Sequence, residues 1–298
     1  MKNFRIFGPL MLLLLLVLSA GCYSREVNVY ISEDGSALLE ITTTASQALL
    51  TYARRQANVP PEAFWFHERA LRQAAEALGE GVAYLNHRIE PMEDGRRFVV
   101  TYTVANLENL RLRIDTDAPF FLIPIDEQAA ENRPAFRFEA QENGWVIHTP
   151  PLPPLRPAAP HVQVESARAR QQRADRLRQD RTLLMRDGNP FGLRGDESAH
   201  ELVRHLAKGM HFRITVHLPQ PLHAHNARFL HQPEEPGALP SLTLFSLQAL
   251  EVLQQEDVLN LAAQGDAHRI PWARLARAPG VKAETGDPVV LRFQPPQP

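Results

Sequence analysis

The sequence has a single cysteine, Cys22, in 298 residues. One thiol excludes an internal disulfide and any zinc site built from several thiolates. Lysine is scarce too: after Lys2 only Lys208 and Lys282 follow, and the remaining basic residues are arginines. The formal net charge is −2, so the charge balance does not point to nucleic acid as a partner. A Gly-x-Ser-x-Gly elbow, a phosphate-binding loop and a dinucleotide fingerprint are all absent. Acids are plentiful, but no spacing singles out an acid/base pair. A long apolar run occurs once, from Ile6 to Leu18.

That run is where the informative residues lie. Lys2 and Arg5 precede it, five leucines (Leu12 to Leu16) stand in its middle, and Leu18-Ser19-Ala20-Gly21-Cys22 closes it. A positive start, an apolar centre and a small-residue exit make a secretory signal peptide. The run is short of the roughly 20 apolar residues that a transmembrane helix needs. Ending on Gly-Cys, it resembles the lipobox of bacterial lipoproteins, with Ser19 where leucine is usual and Leu18 one position further out. The resemblance implies cleavage after Gly21, diacylglycerol on the Cys22 sulfur and an acylated new N-terminus. Residues 1–21 are then a signal peptide, and the mature chain has no free thiol. It also loses Lys2 and Arg5 and no acid, which leaves 30 basic against 34 acidic residues, a net charge of −4. Mature position two is Tyr23. Under the sorting rule of enteric lipoproteins aspartate there retains a protein at the inner membrane, so Tyr23 implies the outer membrane, facing the periplasm.

Three hairpin signals follow. Val27 to Ile31, Asp34-Gly35 and Ala37 to Thr44 form the first. Asp94-Gly95 before Phe98 to Val104 marks the second, and Phe136 to Phe138, Asn143-Gly144 and Trp145 to Ile147 mark the third. Asp-Gly and Asn-Gly tolerate the positive φ of a type I′ turn, and the flanking runs alternate. Pro60-Pro61 and Gly79 bracket a predicted helix over 62–78, with Phe64, Leu71, Ala74, Ala75 and Leu78 on one stripe and His67 at its edge. A proline-rich stretch, 150–160, leads into an arginine-rich segment, 168–186, whose charges point in every direction around a helix. Further on, the pattern predicts a helix over 198–208, strands over 212–218 and 242–247, a helix over 249–263 and a last strand over 289–293.

Phe212 to Pro219, followed by His225-Asn226-Ala227, resembles LppM-type lipoproteins when taken together with the Asp34-Gly35-Ser36 hairpin. Those carry an early strand–Asp-Gly-Ser–strand hairpin and a later strand ending in proline, with Asn-Ala a few residues on. Here Gln220 stands where glycine is usual, and Leu242 to Leu247 lacks the common tryptophan. The resemblance implies a membrane-anchored α+β domain without known catalysis, in which the first hairpin and the later strand share a sheet.

Seven of the twelve histidines fall between His200 and His231, which raises metal binding. His200 and His205 flank Glu201-Leu202-Val203-Arg204, but they stand at i and i+5, about 140° apart on a helix, where a zinc-protease helix needs i and i+4. His211 and His217 share a strand face at roughly 20 Å, too far apart for one ion. His223 and His225 point the same way on an extended chain, and His231 could join them.

These residues support an α+β fold: an antiparallel sheet built from hairpins with packed helices. Residues 22–149 and 197–298 form its two parts, and 150–196 are an inserted or linking segment. The expected role is a lipid-anchored envelope protein that binds or organises an envelope protein or lipid, with no catalytic residue and no cofactor. Its membrane contact is made through Cys22. A periplasmic metal-binding lipoprotein using His223, His225 and His231 is the first alternative, and an envelope hydrolase the second.

Overall fold

The protein is described here by a computed structural model covering residues 23–51, 68–114, 135–152, 198–233, 235, 238–263, 270 and 272–293. Cys22, the signal peptide, Phe64, His67 and the arginine-rich segment lie outside the described residues.

Among the described residues thirteen strands form two sheets, one of eight strands and one of five. The first hairpin is β1 (Tyr23–Ile31) and β2 (Ala37–Ser46), antiparallel in the register Tyr23↔Ala45 to Ile31↔Ala37. After a helix, α1 (Glu68–Leu78), come β3 (Val82–Met92) and β4 (Gly95–Val104), with β4 paired to β2. A 3₁₀ turn over Leu107–Asn109 leads to β5 (Arg111–Arg113). The third hairpin is β6 (Ala135–Gln141) and β7 (Gly144–His148).

The second half adds α2 (Ala199–Ala207), β8 (His211–His217), β9 (Leu222–His225), β10 (Leu230–His231) and β11 (Ser241–Gln248). It ends with α3 (Ala249–Val252), α4 (Glu256–Ala263), α5 (Trp272–Leu275), β12 (Val281–Ala283) and β13 (Val289–Phe293). The larger sheet runs β10-β11-β8-β1-β2-β4-β3, with β12 beside β11; the smaller runs β5-β6-β7-β13-β9.

Alternation explains which face each strand buries. Val27, Val29 and Ile31 of β1, Leu39 of β2, Tyr102 and Val104 of β4, and Ile214 and Val216 of β8 all point inward. They join Phe136, Phe138, Trp145, Ile147, Val289 and Leu291 of the smaller sheet in one apolar core. Two amphipathic sheets therefore cover each other, as in sandwich architectures.

This corrects the α+β expectation. The chain is mostly β, and a second sheet covers the apolar strand faces where packed helices were expected. The described helices span only four to eleven residues. They add to the core without forming its covering layer: α1 lies against β3 and α2 against α4, and Val252, Val258, Leu259 and Leu275 of the last three helices are buried with the sheet residues. The larger sheet is also not wholly antiparallel, because β8 runs parallel to β1. Hairpin cues report only local antiparallel pairs. A parallel neighbour brought from far along the chain leaves no such cue.

Local chemistry accounts for the element ends. At the start of α2, Glu201 N–H donates to Ser198 Oγ at 3.3 Å while Ser198 N–H donates to Glu201 Oε2 at 2.7 Å. This reciprocal pair is a capping box. In the first hairpin Asp34 Oδ1 accepts from Ser36 N–H at 2.9 Å and from Ser36 Oγ at 2.7 Å, and Gly35 takes φ +83°. Those two bonds hold the Asp34 carboxyl below the usual carboxylate range. The glycines of the other two hairpins serve close approach more than turn φ. A Cβ on Gly95 would lie 2.1 Å from the Ala45 carbonyl oxygen, and one on Gly144 1.8 Å from that of Leu291.

Leu71 and Ala75 of α1 are buried as its stripe predicts, but Ala74 is exposed. The predicted helix over 249–263 is broken into α3 and α4, with a turn over 253–255 between them.

The parallel β1–β8 pair places residues before and after the arginine-rich segment in one sheet. Trypsin should therefore cut among the arginines of 168–186 while the two pieces elute together in native gel filtration and separate only in denaturant. Two separate native species would contradict the shared sheet.

Candidate functional site

The strand directions give the larger sheet two distinct ends. One carries Tyr23 with the β3–β4 turn. The other carries the β1–β2 turn, and there an open cleft of about 560 Å³ lies between the sheet ends. It is walled by residues 32–35, 105, 106, 108 and 140–145, with Pro219, Gln220 and Phe293.

The walls are fixed by main-chain bonds. Leu107 N–H donates to the Gly35 carbonyl at 3.0 Å, tying the first turn to the segment after β4. Asn106 Oδ1 accepts from Glu108 N–H at 2.9 Å and caps the 3₁₀ turn. Glu108 Oε1 accepts from Ala140 N–H at 3.1 Å and bridges to the smaller sheet. Trp145, largely buried, lies beneath Gly35, whose Cβ position is 3.8 Å from the indole.

The lining is chemically one-sided. Among the described residues it contains Glu33, Asp34, Glu108 and Glu142 together with side-chain amides, and no lysine, arginine or histidine. Asp34 is held ionised by Ser36. A general acid needs the opposite, a carboxyl raised toward working pH. The cleft can accept hydrogen bonds and favour a neutral or cationic polar group. Among the described lining residues no nucleophile–base pair is placed.

The histidines of 200–231 do not converge. Among the described residues no three His, Cys, Asp or Glu side chains gather as a metal site would require. His223 and His225 stand on β9 in the smaller sheet, while His231 stands on β10 at an edge of the larger one. His200 is exposed on α2, and the side chain of His205 lies outside the described set.

His211 and His217 each have a partner of their own on the outward face of the larger sheet. His211 Nε2 is 3.2 Å from Glu26 Oε1. His217 stacks on Tyr30 with ring centroids 4.4 Å apart and lies 3.1 Å from Asn28 Oδ1. Burial holds the His217 pKa below its ordinary value. Burial, then the charges of Glu40 and Glu26, push the Tyr30 phenol up. Both effects keep the stacked pair uncharged at neutral pH.

Two residues fix the histidine-bearing loop: Asn226, which the sequence offers only as part of a motif, and Glu284, which no pattern in the sequence marks. Asn226 acts as a piece of strand: its Oδ1 accepts from Val290 N–H at 2.7 Å and its Nδ2 donates to the Pro288 carbonyl at 3.0 Å. Glu284 is only 3 % exposed, and its Oε1 accepts from Arg228 N–H at 2.7 Å and Phe229 N–H at 2.9 Å. Buried carboxylates need such donors. The bonds span 56 and 55 residues, so no local sequence signal could have announced them.

No protein family, no curated protein and no solved structure matches the chain in comparisons with known proteins.

Glu284→Ala leaves two backbone donors without an acceptor. It should cost about 3 kcal/mol by chemical denaturation, given 1–3 kcal/mol for each unsatisfied buried group. Glu284→Gln keeps an oxygen and should cost clearly less. Equal costs would mean that packing, not hydrogen bonding, is the role of Glu284.

Proposed function

We propose that the chain is a lipid-anchored protein of the cell envelope that binds or organises another envelope component and catalyses no reaction. The observation that carries the anchored half is the junction at Cys22. The apolar run closes on Gly21-Cys22, and the next residue, Tyr23, is already paired in a sheet. The anchor belongs to the outer membrane's periplasmic leaflet, on the strength of Tyr23 at the second mature position. Among the described residues no helix is long and apolar enough to cross a membrane.

The cleft supports the binding half. It is open and rich in acids and amides, and its Asp34 is held in the wrong state for acid catalysis. The resemblance to LppM-type lipoproteins points the same way. The ligand chemistry that suits these walls is a polar group that donates hydrogen bonds, neutral or positively charged.

Two measurements test the two halves. Metabolic labelling with palmitate should mark the wild type and leave Cys22→Ser unlabelled; label kept by the variant would sink the anchor. A photo-crosslinking residue at Gln141, in cells, should yield a discrete adduct that Glu33→Arg with Glu142→Arg removes. An adduct indifferent to those charge reversals would rule out the cleft as the binding surface.

A further inference from the structure

We infer that the end of the larger sheet that carries Tyr23 sits directly on the bilayer, with the cleft held away from it. This rests on the lipid-anchored reading of Cys22. Chain length imposes this. Consecutive Cα atoms are about 3.8 Å apart, so the acylated residue lies one such step from Tyr23. Tyr23 is not the start of a tail. It is paired with Ala45 of β2, and Ser24 is paired with both Thr44 and His211. A strand held on both sides cannot peel away to lengthen the tether without breaking its ladder.

The surface that meets the headgroups follows from the register. Ser46↔Gly95 and Met92↔Gly95 bring the β3–β4 turn to the same end, and Gln248↔His211 brings the start of α3. Gln47 N–H donates to the Asp94 carbonyl at 2.8 Å, and Ala249 N–H to that of Met210 at 3.0 Å, so these loops form one rim. Two of its apolar side chains are exposed without an obvious core role: Met92 at 41 % and Leu250 at 42 %. Among the described residues the rim carries charges of both signs, the acids Glu93 and Asp94 and the cation Arg96, which pairs with Ala45 beside Tyr23, so net attraction to anionic lipid does not drive the contact. The tether imposes it, and Met92 and Leu250 make the contact favourable.

The geometry then sets the height of the cleft. Tyr23 to Ile31 spans about 26 Å at about 3.3 Å per residue. The β1–β2 turn lies beyond that, on the membrane-distal side. The partner is therefore met in the aqueous space and not at the lipid surface.

The test uses lipidated full-length protein in phosphatidylethanolamine–phosphatidylglycerol vesicles containing headgroup spin labels. Acylation blocks Cys22, so one introduced cysteine carries the fluorophore. A probe on Asp94→Cys should be quenched severalfold more than one on Glu33→Cys, whatever the phosphatidylglycerol fraction. A 12-residue Gly-Ser insert between Cys22 and Tyr23, with a root-mean-square length of about 20 Å, should bring the two signals together while palmitate label persists. Equal quenching without the insert, in protein that carries the label, would overturn the docking. Quenching unchanged by the insert would overturn the short tether as its cause. An unlabelled wild type would instead overturn the anchored reading and take this inference with it.

Discussion

The main-chain pairing of β1 on both sides is the constraint on which the rest of the structure depends. On one side β2 is joined through a tight turn, which costs little loop entropy. On the other lies β8, more than 180 residues away and parallel. No short connection can make a parallel pair, so the ladder itself, the buried apolar face and the Glu26–His211, Asn28–His217 and Tyr30–His217 contacts on the outward face hold it. Val29 and Val216 are paired within it, and both are fully buried. Every strand beyond β8 in the larger sheet is placed through this pair. So is the direction of the molecule: it decides which strand ends lie beside Tyr23 and which lie beside the cleft.

The second sheet determines what that direction is worth. Its strands cover the inner face of the first, and the turns of β1–β2 and β6–β7 come to stand side by side. Glu108 ties the two sheets at this point through the Ala140 amide. The cleft is thus a consequence of two sheets ending together, with Trp145 as its packed floor. The outward face of the larger sheet is built differently. Arg88 lies 2.8 Å from Glu90 and 3.3 Å from Glu40, and Arg97 lies 3.2 Å from Glu90. Such exposed pairs contribute little stability each. They keep a broad sheet face charged, which opposes stacking against another sheet.

How much of this was legible follows from the range of each interaction. The three Asp-Gly and Asn-Gly hairpins, the β8 alternation and the last strand are local signals, and each stands where its residues place it. The expected sharing of one sheet by the first hairpin and the later strand also holds, because both present apolar faces of similar length. The short strands β5, β10 and β12, of two or three residues, have too few positions for a period to register. The helix-packed α+β expectation failed for a related reason. Strand alternation reveals that a face must be covered, but not whether a helix or a second sheet covers it. In the cleft, Asp34-Gly35 and Asn143-Gly144 were visible as turns, yet their meeting depends on sheet-to-sheet packing. Asn226 was noticed for its place in a motif. Its role as a strand surrogate needed the position of Val290.

The histidine cluster shows why density along the chain is a poor guide to chemistry. Seven histidines in 32 positions read as one feature, but strand pairing and a change of sheet disperse them. His211 goes to Glu26, His217 to Tyr30 and Asn28, His223 and His225 to the edge of one sheet, and His231 to the edge of the other. The cleft acids behave in the opposite way. Asp34, Glu108 and Glu142 are far apart in sequence, drew no attention by spacing, and come together because three turns end at one place. A ligand for such walls has to be met where water can exchange with it. On the lipid-anchored reading proposed above, a β1 strand that begins one residue after Cys22 and ends at the cleft would supply that separation through its own length, with no linker required.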